Sequence, residues 1–160
     1  DDKLLTRARE VTAICHDRGA LFVMNDRPDV ARLCEADGVH LGQTDMRVVD
    51  ARRIVGPDRL IGLSTHNAQQ LAEAIACTPD YIAVGPMYPS GTKPQDDIPG
   101  VDLLRQAIAA TNIPIVPIGG IDQARSLELA EAGARCVCVC SSVIAATEPR
   151  SLARSIVAGC

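Results

Sequence analysis

The chain has 160 residues and a formal net charge of −4, and 47% of its residues are hydrophobic, which predicts one globular domain over residues 1–160. Aromatic residues make up only 2% of the chain and basic residues form no run, so we expect no nucleic-acid partner. No apolar stretch reaches the roughly eighteen residues that span a bilayer and the chain opens with no signal peptide, so we expect a cytoplasmic protein without a membrane partner.

Short apolar runs alternate with amphipathic segments along the chain. The first half predicts a helix to residue 18 and then strands at 21–26, 38–43 and 60–65, with helices between them. The second half predicts strands at 81–86, 113–121 and 136–142, again with intervening helices, and a long polar loop at 87–100. The helix boundaries are indicated by local signals: Gly19, Pro28, Gly56, the pair Asn67 and Gln70, and Asp122.

The predicted strands are apolar throughout, which is typical of parallel strands covered by helices. They recur at a spacing of roughly 20 to 25 residues, the pattern of an α/β fold. The arrangement is that of a (β/α)8 TIM barrel, which has eight strands and typically about 250 residues. Because the chain predicts about six strands, we expect the first two strands of the barrel to be missing from it.

Polar residues follow the first two predicted strands at the point where each ends. Asn25 and Asp26 close the first strand, and Gln43 and Asp45 lie at the end of the second. Because parallel strands that follow each other in sequence tend to be neighbours, the two carboxylates are expected to face one cavity. Mg²⁺ takes one or two protein carboxylates and leaves its other positions to water and substrate phosphates. The pair therefore predicts a Mg²⁺ site and phosphate chemistry.

Two later turns indicate a phosphate site. Gly119-Gly120 ends one predicted strand and Ser141-Ser142 ends the next, and both run into helices. In barrel enzymes the loops after the last two strands commonly bind phosphate through backbone N–H groups, and two ordinary tight turns are the alternative. The segment Ser-Gly-Thr-Lys at 90–93 adds hydroxyls and an ammonium group that suit an anionic leaving group, although a solvated loop has the same composition.

Ser64, Thr65 and His66 end a predicted strand without forming a nucleophile and its base. Adjacent strand residues point to opposite faces, and the chain has no Gly-x-Ser-x-Gly elbow. We interpret Ser64 as a hydrogen-bonding residue. His40 lies in the middle of a strand, where it is either a core histidine with satisfied hydrogen bonds or a ligand contact.

The chain has seven cysteines but no Cys-x-x-Cys pair, which argues against a zinc site. Cys136, Cys138 and Cys140 alternate with valines, so a strand would place their thiols on one face. Free cysteine usually packs as a small buried hydrophobe, and cytosolic proteins keep thiols reduced. We therefore predict that these cysteines belong to the core.

Five segments together resemble the thiamine phosphate synthase family, which shares a superfamily with the thiazole tautomerases. They are NDR at 25–27, DGVHLGQTD at 37–45, IGLSTHN at 61–67, DYIAVGPMYPSGTK at 80–93 and PIGGI at 117–121. The resemblance covers essentially the whole chain. It implies an N-terminally truncated transferase that couples hydroxymethylpyrimidine diphosphate with thiazole phosphate, giving thiamine phosphate and pyrophosphate.

The resemblance also implies a role for each matching residue. Asp26 and Asp45 would hold Mg²⁺ on the diphosphate. The pyrimidine diphosphate would be contacted by Asn25, Ser64 and Lys93, and Ser64 and Lys93 would be catalytic. The thiazole phosphate would be contacted by Ser90, Gly91, Thr92, Gly120, Cys140 and Ser141. The implied reaction is dissociative, so that diphosphate departs before the thiazole nitrogen captures the pyrimidinylmethyl cation.

Two alternatives stay open beside the synthase. The thiazole tautomerases share the fold and the Gly-Gly-Ile turn but resemble the synthase less at the metal-binding acids and at the Thr-Lys pair, and this chain has both features. The family's Gln-x-Arg-x-Lys segment has no match and would lie just before Asp1, so a non-catalytic phosphate-binding or regulatory module is the other alternative. The sheet edges that missing strands would leave also suggest a homo-oligomer.

Overall fold

The computed structural model describes residues 1–89 and 98–159. Helices and strands alternate as predicted as far as α6, and the strands form a parallel sheet in the order β1-β2-β3-β4-β5. The elements of the first half are α1 (Asp2–His16), β1 (Val23–Asn25), α2 (Pro28–Leu33), β2 (Gly38–Leu41), α3 (Val48–Val55) and β3 (Leu60–Thr65). Those of the second half are α4 (Ala68–Cys77), β4 (Tyr81–Val84), α5 (Gly100–Ala110), β5 (Ile115–Pro117), α6 (Gln123–Glu131), α7 (Ser141–Ile144) and α8 (Pro149–Gly159). The predicted α/β class is confirmed.

The chain divides into two compact units. The first unit comprises Asp1–Ser64 and Cys77–Tyr81, and the second comprises Thr65–Ala76 and the chain from Ile82 onward. One domain over residues 1–160 stays a prediction.

In the first unit, the two faces of the sheet differ in character because side chains alternate along each strand. Val39, Leu41 and Ile61 are fully buried. They belong to one apolar cluster with residues of α2 and α3, whose buried members include Ala31 and Ala51. The register pairs His40 with Gly62, so the opposite face of the same strands carries the polar and small residues. The apolar face holds the unit together and the other face is available for chemistry.

Helix ends in the first unit lie where the local signals place them. Gly19 follows α1 at φ +65°, and Gly56 follows α3 at φ +88°, a region that favours glycine. Pro28 is the first residue of α2. A backbone N–H at that position would have no partner within the helix, so the missing N–H of proline costs no hydrogen bond. Helix α2 ends at Leu33, and shortly after it Glu35 adopts φ +59°, which turns the chain away from the helix direction.

Two aspartates hold the amino ends of strands in the first unit. Asp37 Oδ2 accepts the N–H of Phe22 at 2.7 Å, and Asp80 Oδ2 accepts the N–H of Ile61 at 2.7 Å. The N–H of Phe22 holds the pKa of Asp37 below its usual value, and His16 at 3.0 Å lowers this pKa further. Arg52 donates to the same Asp80 oxygen. The carboxylates therefore hold the strand starts in register at the end opposite to the predicted site.

In the second unit, β4 and β5 pair in parallel from Ile82–Ile115 to Val84–Pro117. Thr65, fully buried, donates its hydroxyl to the carbonyl of Ala83 at 3.0 Å, which satisfies both groups away from water. The core is aliphatic, as the low aromatic content requires, and its least exposed members are Ile82, Val84, Leu104, Ala107 and Leu129.

The predicted helix caps of the second unit are confirmed. Asn67 Oδ1 accepts the N–H of Gln70 at 2.9 Å, and Gln70 Oε1 accepts the N–H of His66 at 2.8 Å, a reciprocal arrangement at the start of α4. Asp122 Oδ1 accepts the N–H of Arg125 at 2.9 Å and caps α6. Gly133 follows that helix at φ +100°.

The sixth strand, predicted at 136–142, does not form. Only an isolated parallel bridge joins Ile118 to Cys138, and Ser141 already begins α7. The N–H of Ile118 bonds to Val84, so the backbone alternation directs the nitrogen of Pro117 towards the 136–140 segment. Proline has no N–H to donate, and the ladder cannot extend in that direction.

None of the helices within the described ranges combines the length and the apolar character that a membrane crossing requires.

Candidate functional site

Asp26 lies directly beyond the carboxyl end of β1, as predicted. Its N–H donates to the carbonyl of His40 on β2 at 2.8 Å, so the sheet ladder itself fixes its backbone. Asp26 is exposed and adopts φ +61°, a left-handed conformation that aspartate tolerates better than most residues. This conformation turns the chain sharply at the rim of the sheet, between Asn25 and the start of α2.

Asp45 lies just beyond the carboxyl end of β2 and is half-buried. Its Oδ2 atom accepts the N–H of Gly42 at 2.6 Å, and a Cβ at Gly42 would lie 2.9 Å from that oxygen. The absence of a side chain at Gly42 therefore allows the carboxylate to fold back onto the strand end. Asp45 and Asp26 thus follow the carboxyl ends of two strands that pair directly.

Two carboxylates at neighbouring strand ends fit a Mg²⁺ ion that shares its coordination with water and phosphate oxygens. No group of three or more histidine, cysteine, aspartate or glutamate side chains that could hold a metal occurs in the described part of the chain. A site that relies on softer ligands or on a full protein cage is therefore not formed by these residues. The donor set fits a hard cation held jointly with a substrate.

Ser64, at the end of β3, belongs to a hydrogen-bonded row of three side chains. His40 Nε2 lies 2.8 Å from Ser64 Oγ, and His40 Nδ1 lies 2.9 Å from the Tyr81 hydroxyl. The His40 and Tyr81 rings are also stacked, with centroids 5.6 Å apart. Burial lowers the pKa of His40 below its usual value, and the charge of Asp45 opposes that shift. His40 is therefore a histidine with both nitrogens satisfied, one of the two interpretations that the sequence allowed.

Gly62 makes the Tyr81 contact sterically feasible. A Cβ at Gly62 would lie 2.0 Å from Cζ of Tyr81, which no real structure accommodates. The phenol ring therefore occupies the space above the bare backbone of β3 and reaches His40 on the far side. Gln43, just past β2, donates its amide to the carbonyl of Ser64 at 2.5 Å. Ser64 is thus contacted by the side chains of His40 and Gln43, and Tyr81 is linked to it through His40.

The Ser64-Thr65-His66 run forms no relay, as predicted. Ser64 bonds to His40, whereas Thr65 bonds to the carbonyl of Ala83. His66 Nδ1 lies 2.7 Å from the carbonyl oxygen of Gly85, and because a carbonyl only accepts, this nitrogen carries the proton. Each side chain is committed to a different partner.

In the second unit, Gly119 and Gly120 follow β5 at φ +101° and +65°. A Cβ at Gly120 would lie 2.7 Å from the carbonyl oxygens of both Tyr88 and Pro89. The glycines are therefore needed because the segment after β4 packs directly onto this turn. This packing accounts for them as the tight-turn alternative does, and the phosphate site stays a prediction. The N–H of Tyr88 donates to the carbonyl of Gly119 at 3.1 Å and fixes the contact.

Arg125 and Glu128 of α6 hold the segment that follows β4. The Arg125 guanidinium donates to the carbonyl of Gly120 at 2.6 Å and lies 4.7 Å from the centroid of the Tyr88 ring. The Tyr88 hydroxyl donates to Glu128 at 2.8 Å. Burial and the Glu128 carboxylate raise the pKa of Tyr88 to about 12. Tyr88 therefore stays a hydrogen-bond donor at neutral pH and keeps this segment attached to α6.

Cys140 and Ser141 are exposed at the start of α7. Ser142 is turned the other way, and its hydroxyl donates to the carbonyl of Ile121 at 2.8 Å. The Ser142 hydroxyl is therefore committed within the fold, and a ligand contact of Ser141 stays a prediction. Ser90, Gly91, Thr92 and Lys93 lie outside the described residues.

The prediction that the cysteines pack in the core is wrong for most of them. Cys34 is buried, but Cys77, Cys136 and Cys140 are exposed and Cys138 is half-buried. Burial raises the pKa of the Cys138 thiol, and the neighbouring thiols of Cys140 and Cys136 add to the effect. For Cys136, Cys138 and Cys140 the physical reason is the missing sixth strand, because a segment that forms a single bridge does not stack its side chains in layers.

Sequence reasoning missed Tyr81 as a site residue. The available signal was Gly62, since a glycine inside an apolar strand often marks the close approach of another group. Nothing local, however, indicates which side chain makes that approach.

A family model described as thiamine monophosphate synthase matches residues 1–143 of the chain. The thiamine-phosphate synthase of Thermosynechococcus vestitus is 45% identical over 156 residues, which are 98% of this chain and 44% of that protein. The thiamine-phosphate synthase of Mycobacterium sp. strain KMS is 48% identical over 139 residues, which are 86% of this chain and 62% of that protein. The chain therefore spans less than two thirds of either relative.

Solved structures agree at the level of the fold. Thiamine phosphate pyrophosphorylase from Pyrococcus furiosus superposes with a TM-score of 0.89 at 28% identity, covering 99% of this chain and 76% of that chain. The 3-hexulose-6-phosphate synthase of Salmonella typhimurium gives a TM-score of 0.70 at 18% identity, covering 95% and 79% of the two chains. The second likeness is one of fold alone.

Proposed function

Because the chain belongs to the thiamine monophosphate synthase family, we propose that its protein joins hydroxymethylpyrimidine diphosphate to thiazole phosphate, giving thiamine phosphate and pyrophosphate. The observation that carries the proposal is the position of Asp26 and Asp45 beyond two directly paired strands. That arrangement suits an ion that neutralises a diphosphate, as this reaction requires.

The proposed reaction breaks one bond and forms one. The bond between the pyrimidine methylene carbon and the diphosphate oxygen breaks, and its electron pair leaves with the diphosphate. The lone pair of the thiazole nitrogen then forms the new carbon–nitrogen bond. No proton moves in either step, so the site must neutralise charge and exclude water rather than supply a general base. The structure agrees with this requirement in one respect, since His40 is engaged by both of its nitrogens.

Roles for individual residues follow from their positions and from the family resemblance. Asp26 and Asp45 would hold Mg²⁺, and the ion when bound would neutralise the departing diphosphate. The residues that would contact the pyrimidine diphosphate are Asn25, Ser64 and Lys93, with Ser64 and Lys93 also acting in catalysis. Those that would contact the thiazole phosphate are Ser90, Gly91, Thr92, Gly120, Cys140 and Ser141.

The metal assignment is tested with Asp26→Ala and Asp45→Ala. Each should lose most Mg²⁺-dependent release of pyrophosphate while retaining the circular dichroism spectrum of the parent. Asp58→Ala, an exposed aspartate beyond α3, is the matched control and should behave like the parent. Near-normal activity of either variant at saturating Mg²⁺ would remove that residue from the metal site. Binding of Mn²⁺ in the presence of pyrophosphate, followed by electron paramagnetic resonance, gives a second measure that does not depend on turnover.

The same assay separates the alternatives. Isomerisation of the thiazole phosphate without pyrophosphate release would identify a tautomerase, and phosphate binding without either reaction would identify a non-catalytic module. The assay is to be run on this 160-residue chain and on any longer form of the protein.

We also place the protein in the cytoplasm. None of the described cysteines forms a disulfide, and three of them are exposed, an arrangement that a reducing compartment preserves.

A further inference from the structure

We propose that Tyr81 is a positioning residue that acts through His40 and makes the Ser64 hydroxyl a hydrogen-bond donor to the pyrimidine substrate. The proposal rests on the proposed function for the identity of the ligand. The side-chain arrangement on which it depends lies entirely within the first unit.

The three side chains form a continuous row across three strands. Ser64 Oγ and His40 Nε2 are 2.8 Å apart, and His40 Nδ1 and the Tyr81 hydroxyl are 2.9 Å apart. His40 and Gly62 are register partners on β2 and β3, and Tyr81 reaches across Gly62 because that residue has no side chain. The Tyr81 ring is also stacked on the imidazole at an interplanar angle of 22°, which restricts its rotation.

A neutral imidazole carries one ring proton, so the hydrogen bond that His40 makes with Tyr81 determines the one that it makes with Ser64. One ring nitrogen carries a proton and donates, and the other can only accept. If Nδ1 accepts from Tyr81, then Nε2 donates to Ser64, and the Ser64 proton points to a ligand. If Nδ1 donates to Tyr81 instead, Nε2 must accept from Ser64, and the serine can only accept from a ligand. The tautomer of His40 therefore decides what Ser64 offers to a substrate.

The first arrangement is favoured by hydroxyl acidity. A phenol is a far stronger acid than an aliphatic alcohol and makes the stronger hydrogen bond to an imidazole nitrogen. The Tyr81 hydroxyl therefore donates to Nδ1 and selects the tautomer with the proton on Nε2. Ser64 Oγ then accepts a hydrogen bond from the Nε2–H group of His40, and the Ser64 O–H points outward. A diphosphate oxygen and a pyrimidine ring nitrogen are both acceptors and match such a donor.

The direct test is the tautomer of His40, measured by long-range ¹H–¹⁵N NMR of the ring nitrogens. The chain has three histidines, so substitution of His16 and His66 assigns the His40 signals. We expect the proton on Nε2 in the parent protein and a shift toward the Nδ1 tautomer in Tyr81→Phe, which keeps the ring and removes only the hydroxyl. Tyr88→Phe removes the other tyrosine hydroxyl of the chain and should leave the His40 signals unchanged. A proton on Nδ1 in the parent, or an unchanged tautomer in Tyr81→Phe, overturns the proposal.

Kinetics test the coupling to Ser64. Tyr81→Phe should lower kcat/KM for the pyrimidine diphosphate about tenfold, the scale of one net hydrogen bond, and leave KM for the thiazole phosphate unchanged. In a Ser64→Ala background the same substitution should have no further effect, because the residue through which it acts is gone. An equal loss in both backgrounds would show a merely structural role and overturn the proposal. If the protein has no synthase activity, the proposed function fails, and the NMR result still decides whether Tyr81 sets the His40 tautomer.

Discussion

At the scale of single residues, a missing side chain can matter as much as a reactive one. Gly62 is the clearest case, because any Cβ there would overlap the Tyr81 ring that reaches His40. Gly42 has a similar role beside Asp45, where its backbone N–H donates to the carboxylate. Both glycines lie within or at the end of strands on the side of the sheet that carries the polar groups. The site is therefore shaped by where atoms are absent as well as by the groups that it presents.

Lys93 carries the sharpest prediction about the proposed chemistry, although it lies outside the described residues. If diphosphate departure leads, negative charge gathers on the leaving oxygens and the ammonium group matters most in the transition state. Lys93→Ala should therefore lower kcat by on the order of a hundred- to a thousandfold and raise KM much less. Lys93→Arg should rescue only part of the loss, because a planar guanidinium replaces a compact charge. Steady-state kinetics decides the matter: an unchanged kcat for Lys93→Ala would exclude this residue from the chemical step.

At the scale of elements, the strands of the first unit are held at their amino ends by carboxylates and present their functional groups at their carboxyl ends. Asp37 and Asp80 each accept the N–H of a residue on an adjacent strand segment. The first bond joins the start of β1 to that of β2, and the second joins the start of β3 to the residue before β4, without using any residue of the candidate site. Stability and chemistry are thereby separated between the two ends of the same strands.

This separation gives a pH prediction for Asp37. Its folded-state pKa lies below the ordinary value of 3.8, chiefly because the N–H of Phe22 donates to the ionised carboxylate. Its stabilising contribution is therefore fully present above about pH 3.8 and is lost as the pH falls through the lower folded-state pKa. Asp37→Asn should reduce the free energy of unfolding by about 1 kcal/mol at pH 7, and the difference from the parent should shrink below pH 3.8.

Urea denaturation at pH 7 and at pH 3 measures the effect. Asp58→Asn, an exposed aspartate, is the matched control and should change the free energy of unfolding little at either pH. A difference for Asp37→Asn that stays constant down to pH 3 would contradict the assigned role of the carboxylate.

At the scale of the whole molecule, the described cysteines divide into accessible and buried thiols. Cys77, Cys136 and Cys140 are exposed, whereas Cys34 is 4% exposed within the core of the first unit. Alkylation of the native protein should therefore modify the three exposed thiols first and reach Cys34 only after unfolding. Cys138 should react slowly, because burial raises the pKa of its thiol and reduces the thiolate fraction.

Peptide mapping by mass spectrometry after timed alkylation reports each cysteine separately. Protection of Cys136 and Cys140 to the same degree as Cys34 would restore the original prediction that these residues pack in the core. The result also tests whether residues 136–142 form the predicted sixth strand, since a complete strand there would shield alternate side chains.

The alternation of strands and helices was determined by the sequence itself, and so were most of the helix boundaries. Apolar runs and amphipathic periods are local properties, and caps such as Asn67 with Gln70, or Asp122, satisfy N–H groups only three or four residues away. The position of Asp26 and Asp45 beyond their strands follows from the same local pattern. The α/β class and the family resemblance needed nothing beyond this information.

Tertiary structure alone decided the partners of those residues. His40 bonds to residues 24 and 41 positions away, a pairing set by strand register and by the space above Gly62. The failure of the sixth strand likewise depended on a second segment, because the missing N–H belongs to Pro117. Periodicity reports which residues are apolar in one segment, whereas hydrogen bonds between strands need two segments in register, and that register is a property of the packed sheet.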